Sequence, residues 1–183
     1  TGEGGMLLLD DDELFERCKF LRDHGRDPGT YYNTEVTFKY MPFNLQAALG
    51  FSQFQRIDQL LEKKLSILHG YKDRLKSVED IYLNHEPDHV INGAWASALV
   101  FGKSHNITSF DAIEKLQRLN VPSRPFFFPL SSLPAYPDDP DVSRLLNPVA
   151  YDVASRGIHL PCAYNLTEDD LDKISSSIIK ILQ

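Results

Sequence analysis

No stretch of the 183 residues approaches the ~20 consecutive apolar residues that a membrane-spanning helix requires, so no crossing of a bilayer is expected. Cysteine is scarce. Cys18 and Cys162 are the only two, too few for a disulfide framework, and they point to a reducing, cytoplasmic setting. Positive charge is in deficit, with 19 Lys and Arg against 26 Asp and Glu and a net charge of −7. That balance argues against nucleic acid, which needs clustered Lys and Arg, and against an anionic membrane surface. The first residues, Thr1 to Asp12, show no basic segment followed by an apolar one, so no signal peptide is expected. Asn106-Ile-Thr108 and Asn165-Leu-Thr167 are then chance matches to the glycosylation pattern. Internal repeats and low-complexity tails are absent as well.

What is present is the composition of a soluble globular chain, 42% hydrophobic and 25% charged, long enough to bury a core. Met6 to Leu9 reads as a short buried strand. Asp10 to Asp12 then offer N-caps for a helix carrying Leu14, Phe15, Cys18 and Leu21, which Gly25 ends. Residues 26–37 have no periodicity and read as a long, functional loop. Pro42 suits a first helical turn. From Phe43 to about Leu75 an apolar stripe at intervals of three and four predicts one long helix, or two joined near Gly50 or Gly70, bridging layers or subunits.

The second half reads as helices on a few strands. Trp95 to Phe101 is a strand, Thr108 or Ser109 caps a helix, and Asn147 to Arg156 is a short helix closed by Gly157. Ile158 to Pro161 is a short strand, and Thr167 to Asp170 is a capping box for a last helix. Pro122 to Pro140 is proline-rich and extended, with Phe126 to Phe128 expected in the core. The fold class is α/β passing to α+β.

His85-Glu-Pro-Asp-His89 has the letters of a zinc-protease motif, but Pro87 would break the helix that must place both histidines on one face. A surface loop is the expectation, and no metal site. Thr1 to Gly5 could let backbone N–H groups approach a phosphate, yet it lacks the lysine and hydroxyl of a P-loop. His24 reads as a helix-ending histidine. Arg124 reads as a surface arginine that could clamp a carboxylate or phosphate. Spacing alone makes neither Lys39 nor Lys103 a catalytic lysine.

Six ordered blocks carry a resemblance: Thr1-Gly-Glu-Gly-Gly-Met6, Leu21-Arg-Asp-His-Gly25, Leu45-Gln-Ala-Ala-Leu-Gly50 with Gln53, Arg124-Pro-Phe-Phe-Phe-Pro129 with Pro134-Ala-Tyr136, Asn147-Pro-Val-Ala150, and Arg156-Gly-Ile-His-Leu-Pro161. In this order they resemble pyridoxal-phosphate (PLP) sugar aminotransferases of the DegT/DnrJ/StrS type. Phe38-Lys-Tyr40 with Asn44 is most similar to the perosamine-synthase branch.

The resemblance implies the C-terminal portion of a fold-type I, aspartate-aminotransferase-like protein. Residues 1–41 would be the tail of the large PLP-binding domain and an interface loop, 42–75 a long connecting helix, and 76–183 a small α+β domain. It implies a homodimer that passes an amino group, usually from glutamate, to a keto-deoxysugar on a nucleotide diphosphate, in polysaccharide biosynthesis. A sugar dehydratase of the same family, in which histidine replaces the lysine, and a catalytically silent fragment are the alternatives.

The Schiff-base lysine would fall just before Thr1, so no catalytic residue is expected in the chain, and the isolated chain is expected to be inactive. Lys39 and Tyr40 would bind the cofactor, reaching the phosphate of the neighbouring subunit. Arg124, Ser131 and His24 would bind substrate. The sequence departs from the family pattern in four places: Thr37 stands for a glycine, Met41-Pro42 for a basic residue and methionine, Ser131 for a histidine and Phe128 for a tyrosine.

Overall fold

The computed structural model describes residues 1–136 and 140–183, side chains excepted at 140–142; Pro137 to Asp139 of the proline-rich segment lie outside the described residues. The chain forms two compact units, Thr1–Ile57 and Asp58–Gln183.

In the first unit, α1 (Asp12–Arg22) is capped by Asp11, whose carboxylate accepts from Leu14 N at 2.8 Å. After Arg22 the backbone turns through two left-handed residues, His24 (φ 62°) and Gly25 (φ 57°). A side chain at Gly25 would stand 2.8 Å from the carbonyl of Glu35, so conformation and space both demand glycine. The loop that follows folds back on α1. Thr34 N donates to Gly25 O at 2.9 Å, and Tyr40 N donates to Arg22 O at 2.9 Å. Asp23 pairs with Lys39 and Arg26 with Asn33 in isolated antiparallel bridges. Arg17 donates both terminal nitrogens to the Glu35 carboxylate at 2.7 Å.

Three expectations are corrected here. Met6 to Leu9 is neither buried nor a strand: among the described residues no strand pairs with it, and Met6, Leu7 and Leu8 are exposed. Pro42 precedes the helix it was expected to open, because α2 runs Asn44–Phe54 with Phe43 N donating to the Gln46 side chain at 2.9 Å. The stretch expected as one long helix, or two joined near Gly50 or Gly70, is two, α2 and α3 (Ile57–Leu75), and they part at Gln55 and Arg56 rather than at a glycine. There the hydrogen bonds tighten: Gln55 N reaches Phe51 O at 3.0 Å, but Arg56 N reaches Gln53 O at 3.2 Å. α1 and α2 contribute no buried residue, so their apolar stripes, including Leu14, Phe15, Leu45, Leu49 and Phe51, stay uncovered within the described residues.

The second unit has the core. Its sheet is antiparallel, in the order β1 (Ile81–Leu83), β2 (Ser97–Phe101), β4 (Gly157–Leu160), β3 (Arg124–Pro125). Alternation places Leu99 and Phe101 of β2 and Ile158 and Leu160 of β4 in the core, where α3 adds Ile67, Tyr71 and Leu75. α4 (Ser109–Arg118) adds Ala112 and Leu116, and α7 (Glu168–Ile181) adds Leu171, Ile174 and Ile178. Each fully buried Leu or Ile stabilises by about 1.5–3 kcal/mol. Capping boxes start both helices: Thr108 with Asp111, and Thr167 with Asp170. α5 (Pro140–Leu146) and α6 (Pro148–Arg156) lead into β4.

α3 is also fastened to the segment after β4. Lys63 Nζ donates to Leu166 O at 2.8 Å, Lys64 Nζ to Cys162 O at 2.5 Å, and the Tyr71 hydroxyl to Pro161 O at 2.8 Å. Burial pushes the Tyr71 hydroxyl well above the usual range, so it remains a donor. His85 to His89 is a non-helical turn closed by Val90 N on Pro87 O at 2.8 Å. No helix among the described residues is long and apolar enough to cross a membrane.

Candidate functional site

Chemistry-bearing residues gather in two places, one in each unit. In the first unit the hairpin-like return of residues 33–41 onto the end of α1 brings His24, Lys39 and Tyr40 together through the backbone. Lys39 pairs with Asp23, next to His24, and Tyr40 N bonds to Arg22. His24 is fixed from the other side by Asn33, whose amide donates to its carbonyl at 2.8 Å. Asp23, not His24, is the C-cap of α1.

Lys39 and Tyr40 are exposed. The Lys39 ammonium lies 4.0 Å from the Phe43 ring centroid. It takes part in none of the ion pairs among the described residues. An exposed cation with no carboxylate on it is what a phosphate dianion would need, so the residues present fit the phosphate of PLP.

In the second unit Arg124 lies exposed on β3, in register with His159 of β4. The Phe126 ring stacks on the His159 ring with centroids 4.7 Å apart, and Trp95 and Phe127 each stand 6.1 Å from it. Gly157 makes this possible, because a Cβ there would meet the Phe126 ring at 2.6 Å. Phe127 and Phe128 are 79% and 55% exposed and Phe126 is half-buried, so the aromatic run 126–128 is not the core expected of it; Trp95 is exposed as well. β3 is a short edge strand that ends at Pro125, so the rings that follow it lie beyond the sheet's pairing.

Desolvation, and then the nearby positive charge of Arg124, hold the His159 imidazole below its usual range. It is neutral at pH 7. Its Nδ1 is buried with no hydrogen-bond partner among the described residues. Ser131, in a short turn after Pro129, has its Oγ 3.2 Å from the Tyr151 hydroxyl. Arg144 lies over the Tyr151 ring at 5.3 Å. Between Phe126, Phe127, Pro129 and the start of α6 opens a shallow, mostly apolar cleft of about 610 Å³.

Sequence reasoning missed Trp95 and His159 as site residues. Trp95 lies two residues before β2 and His159 within β4, and the pairing of β3 with β4 sets His159 in register with Arg124.

The sequence pattern of the DegT/DnrJ/EryC1/StrS aminotransferase family matches residues 1–179. The GDP-perosamine synthase of Caulobacter vibrioides is 29% identical over 187 residues, covering 100% of this chain and 49% of the relative. The putative pyridoxal phosphate-dependent aminotransferase EpsN of Bacillus subtilis is 26% identical over 185 residues, covering 99% of this chain and 47% of the relative. Among solved structures, the aminotransferase TlmJ from Streptoalloteichus hindustanus superposes with a TM-score of 0.80 at 18% identity, over 94% of this chain and 46% of its own. The PLP form of the putative sugar aminotransferase Spr1654 from Streptococcus pneumoniae gives 0.78 at 22%, over 95% and 44%. At these identities the structural likeness speaks for the fold. The chain spans about half the length of the curated relatives it matches.

Proposed function

The chain belongs to the DegT/DnrJ/EryC1/StrS aminotransferase family, and we propose from that premise that it is half of a PLP-dependent enzyme that moves an amino group, from glutamate, onto a nucleotide-linked keto-deoxysugar. The observation that carries the reading is the match along 100% of the chain to a GDP-perosamine synthase. Bound PLP would supply the electron sink for amino transfer. This chain's residues would hold and orient it and the sugar.

Lys39 would grip the cofactor phosphate, with Tyr40 beside it. The Arg17–Glu35 pair and the backbone bond from Tyr40 to Arg22 keep that segment in place. Arg124 is an exposed guanidinium suited to an anionic group of either substrate, a carboxylate or a phosphate. Ser131 and Tyr151 would offer hydroxyls to the sugar, and His24, in the turn after α1, would contact substrate as well. In this reading residues 1–41 complete the large domain and interface, and 76–183 form the small domain.

The uncovered apolar faces of α1 and α2 support a larger assembly, which we take to be a cytoplasmic homodimer. A half-reaction tests the proposal. Enzyme made to the full length of its relatives, loaded with PLP, should lose the cofactor's visible absorbance band on adding glutamate and regain it on adding a nucleotide-linked 4-keto-6-deoxyhexose. A band indifferent to every amino acid tried would refute the reading.

A further inference from the structure

Away from the residues assigned to cofactor and sugar, α3 sets a lysine against one of the chain's two cysteines. The Lys64 ammonium donates to Cys162 O at 2.5 Å and to Trp95 O at 3.1 Å, so two backbone carbonyls fix where it lies. In that position its Nζ stands 3.5 Å from Cys162 Sγ. The thiol donates to Trp95 O at 3.6 Å, which ties the sulfur to the same carbonyl as the lysine. All three residues belong to the second unit, and Lys64 and Cys162 are both partly exposed, so a small oxidant reaches them from solvent. The carbonyls would hold the lysine whatever side chain followed Pro161. The sulfur adds an oxidisable atom within a small side-chain movement of a nitrogen nucleophile. The ammonium also faces the negative charge that the sulfur carries when it attacks a peroxide.

We propose that Lys64 and Cys162 are a reversible redox cross-link, joined by a sulfur–nitrogen bond when hydrogen peroxide oxidises the thiol. The sulfur attacks one peroxide oxygen and the O–O bond breaks. The thiol is oxidised to a sulfenic acid, and the other oxygen leaves as water. Lys64, having released a proton to solvent, then attacks the sulfur through its nitrogen lone pair. The S–N bond forms, the S–O bond breaks, and the hydroxyl leaves as water with a proton from the amine. Two thiol molecules reverse the bond, restoring the amine and the cysteine and becoming a disulfide. The bond joins α3 to the segment after β4 across 98 positions of the chain. The inference does not depend on the aminotransferase reading.

The test is made on full-length enzyme, treated with hydrogen peroxide, digested without reductant and mapped by mass spectrometry. Expected is a Lys64–Cys162 peptide pair lighter by two hydrogen atoms than its reduced halves together, and abolished by dithiothreitol. Cys162→Ser and Lys64→Arg should each lower its yield at least about tenfold. Lys64→Arg keeps the positive charge and the donors, and circular dichroism would confirm its fold. Without the amine to trap the sulfenic acid, Cys162 in that variant should pass to sulfinic acid, which dithiothreitol does not recover. Wild-type enzyme unfolded in urea before the peroxide should give no such pair, because the pairing is made by the fold.

A wild-type Cys162 that goes to sulfinic acid with no linked peptide would overturn the proposal, as would a Cys162 that peroxide leaves unchanged. So would an equal yield of the pair from the urea-unfolded enzyme.

Discussion

Lys39→Ala removes a charge whose contributions to folding and to cofactor binding differ in size. For folding, the ammonium meets the Phe43 ring at 4.0 Å, an exposed cation–π contact of roughly 0.5–1 kcal/mol. The pairing of residue 39 with Asp23 is made by the backbone and survives the change. Stability should fall by less than about 1 kcal/mol, a loss of at most a few degrees in Tm for a chain of this size. For binding, a charge-assisted bond to a phosphate is worth about 1.5–3 kcal/mol, so the Kd for PLP should rise roughly ten- to a hundredfold. The assay is an absorbance titration of PLP into full-length enzyme, wild type against variant, with a circular dichroism melt of each. Pyridoxal, which lacks the phosphate, is the control and should bind both proteins alike. A PLP Kd within twofold of wild type would refute the reasoning, and so would a loss of pyridoxal binding as large as that of PLP.

Gly157→Ala should destabilise the second unit by about 1–3 kcal/mol, because the new methyl meets the Phe126 ring at 2.6 Å; urea unfolding followed by circular dichroism checks it. Asp80, Asp111 and Asp170 are all held below the usual carboxylate range, chiefly by hydrogen bonds from Ser104, from Thr108 and from the backbone of Thr167. Their folded values are depressed, so their stabilisation is present above the unfolded carboxylate pKa and is lost as pH falls through the lower folded values. The urea midpoint should therefore hold down to about pH 4 and drop below it, and Asp170→Asn should flatten that drop. His85→Ala should leave any zinc affinity unchanged in isothermal titration, since His85 to His89 is a turn.

Local signals were legible where the chemistry is local. Thr108 and Thr167 announce their helices because a hydroxyl and a carboxylate three residues on satisfy each other's backbone donors. The strands at Ser97–Phe101 and Gly157–Leu160 follow from β-forming residues bounded by turns. β1 escaped, being three residues set among charges and recognisable only through its pairing with β2. Met6 to Leu9 misled for the opposite reason: an apolar run predicts burial, but burial needs a partner layer, and the described residues provide none. The break between α2 and α3 carries neither glycine nor proline, so no residue type marks it. At the candidate site, Lys39, Tyr40, Arg124, Ser131 and His24 came from a resemblance to a family. Trp95 and His159, 64 positions apart in the sequence, meet only because β2 pairs with β4.

The most direct test of the central claim follows the nitrogen. Enzyme of the full family length, PLP, [15N]glutamate and a nucleotide-linked 4-keto-6-deoxyhexose would be incubated together, and the sugar product would be read by mass spectrometry. The account predicts an amino sugar carrying the 15N label, formed together with 2-oxoglutarate. A sugar that loses a hydroxyl without gaining nitrogen, or that is returned unchanged while glutamate is untouched, would contradict it.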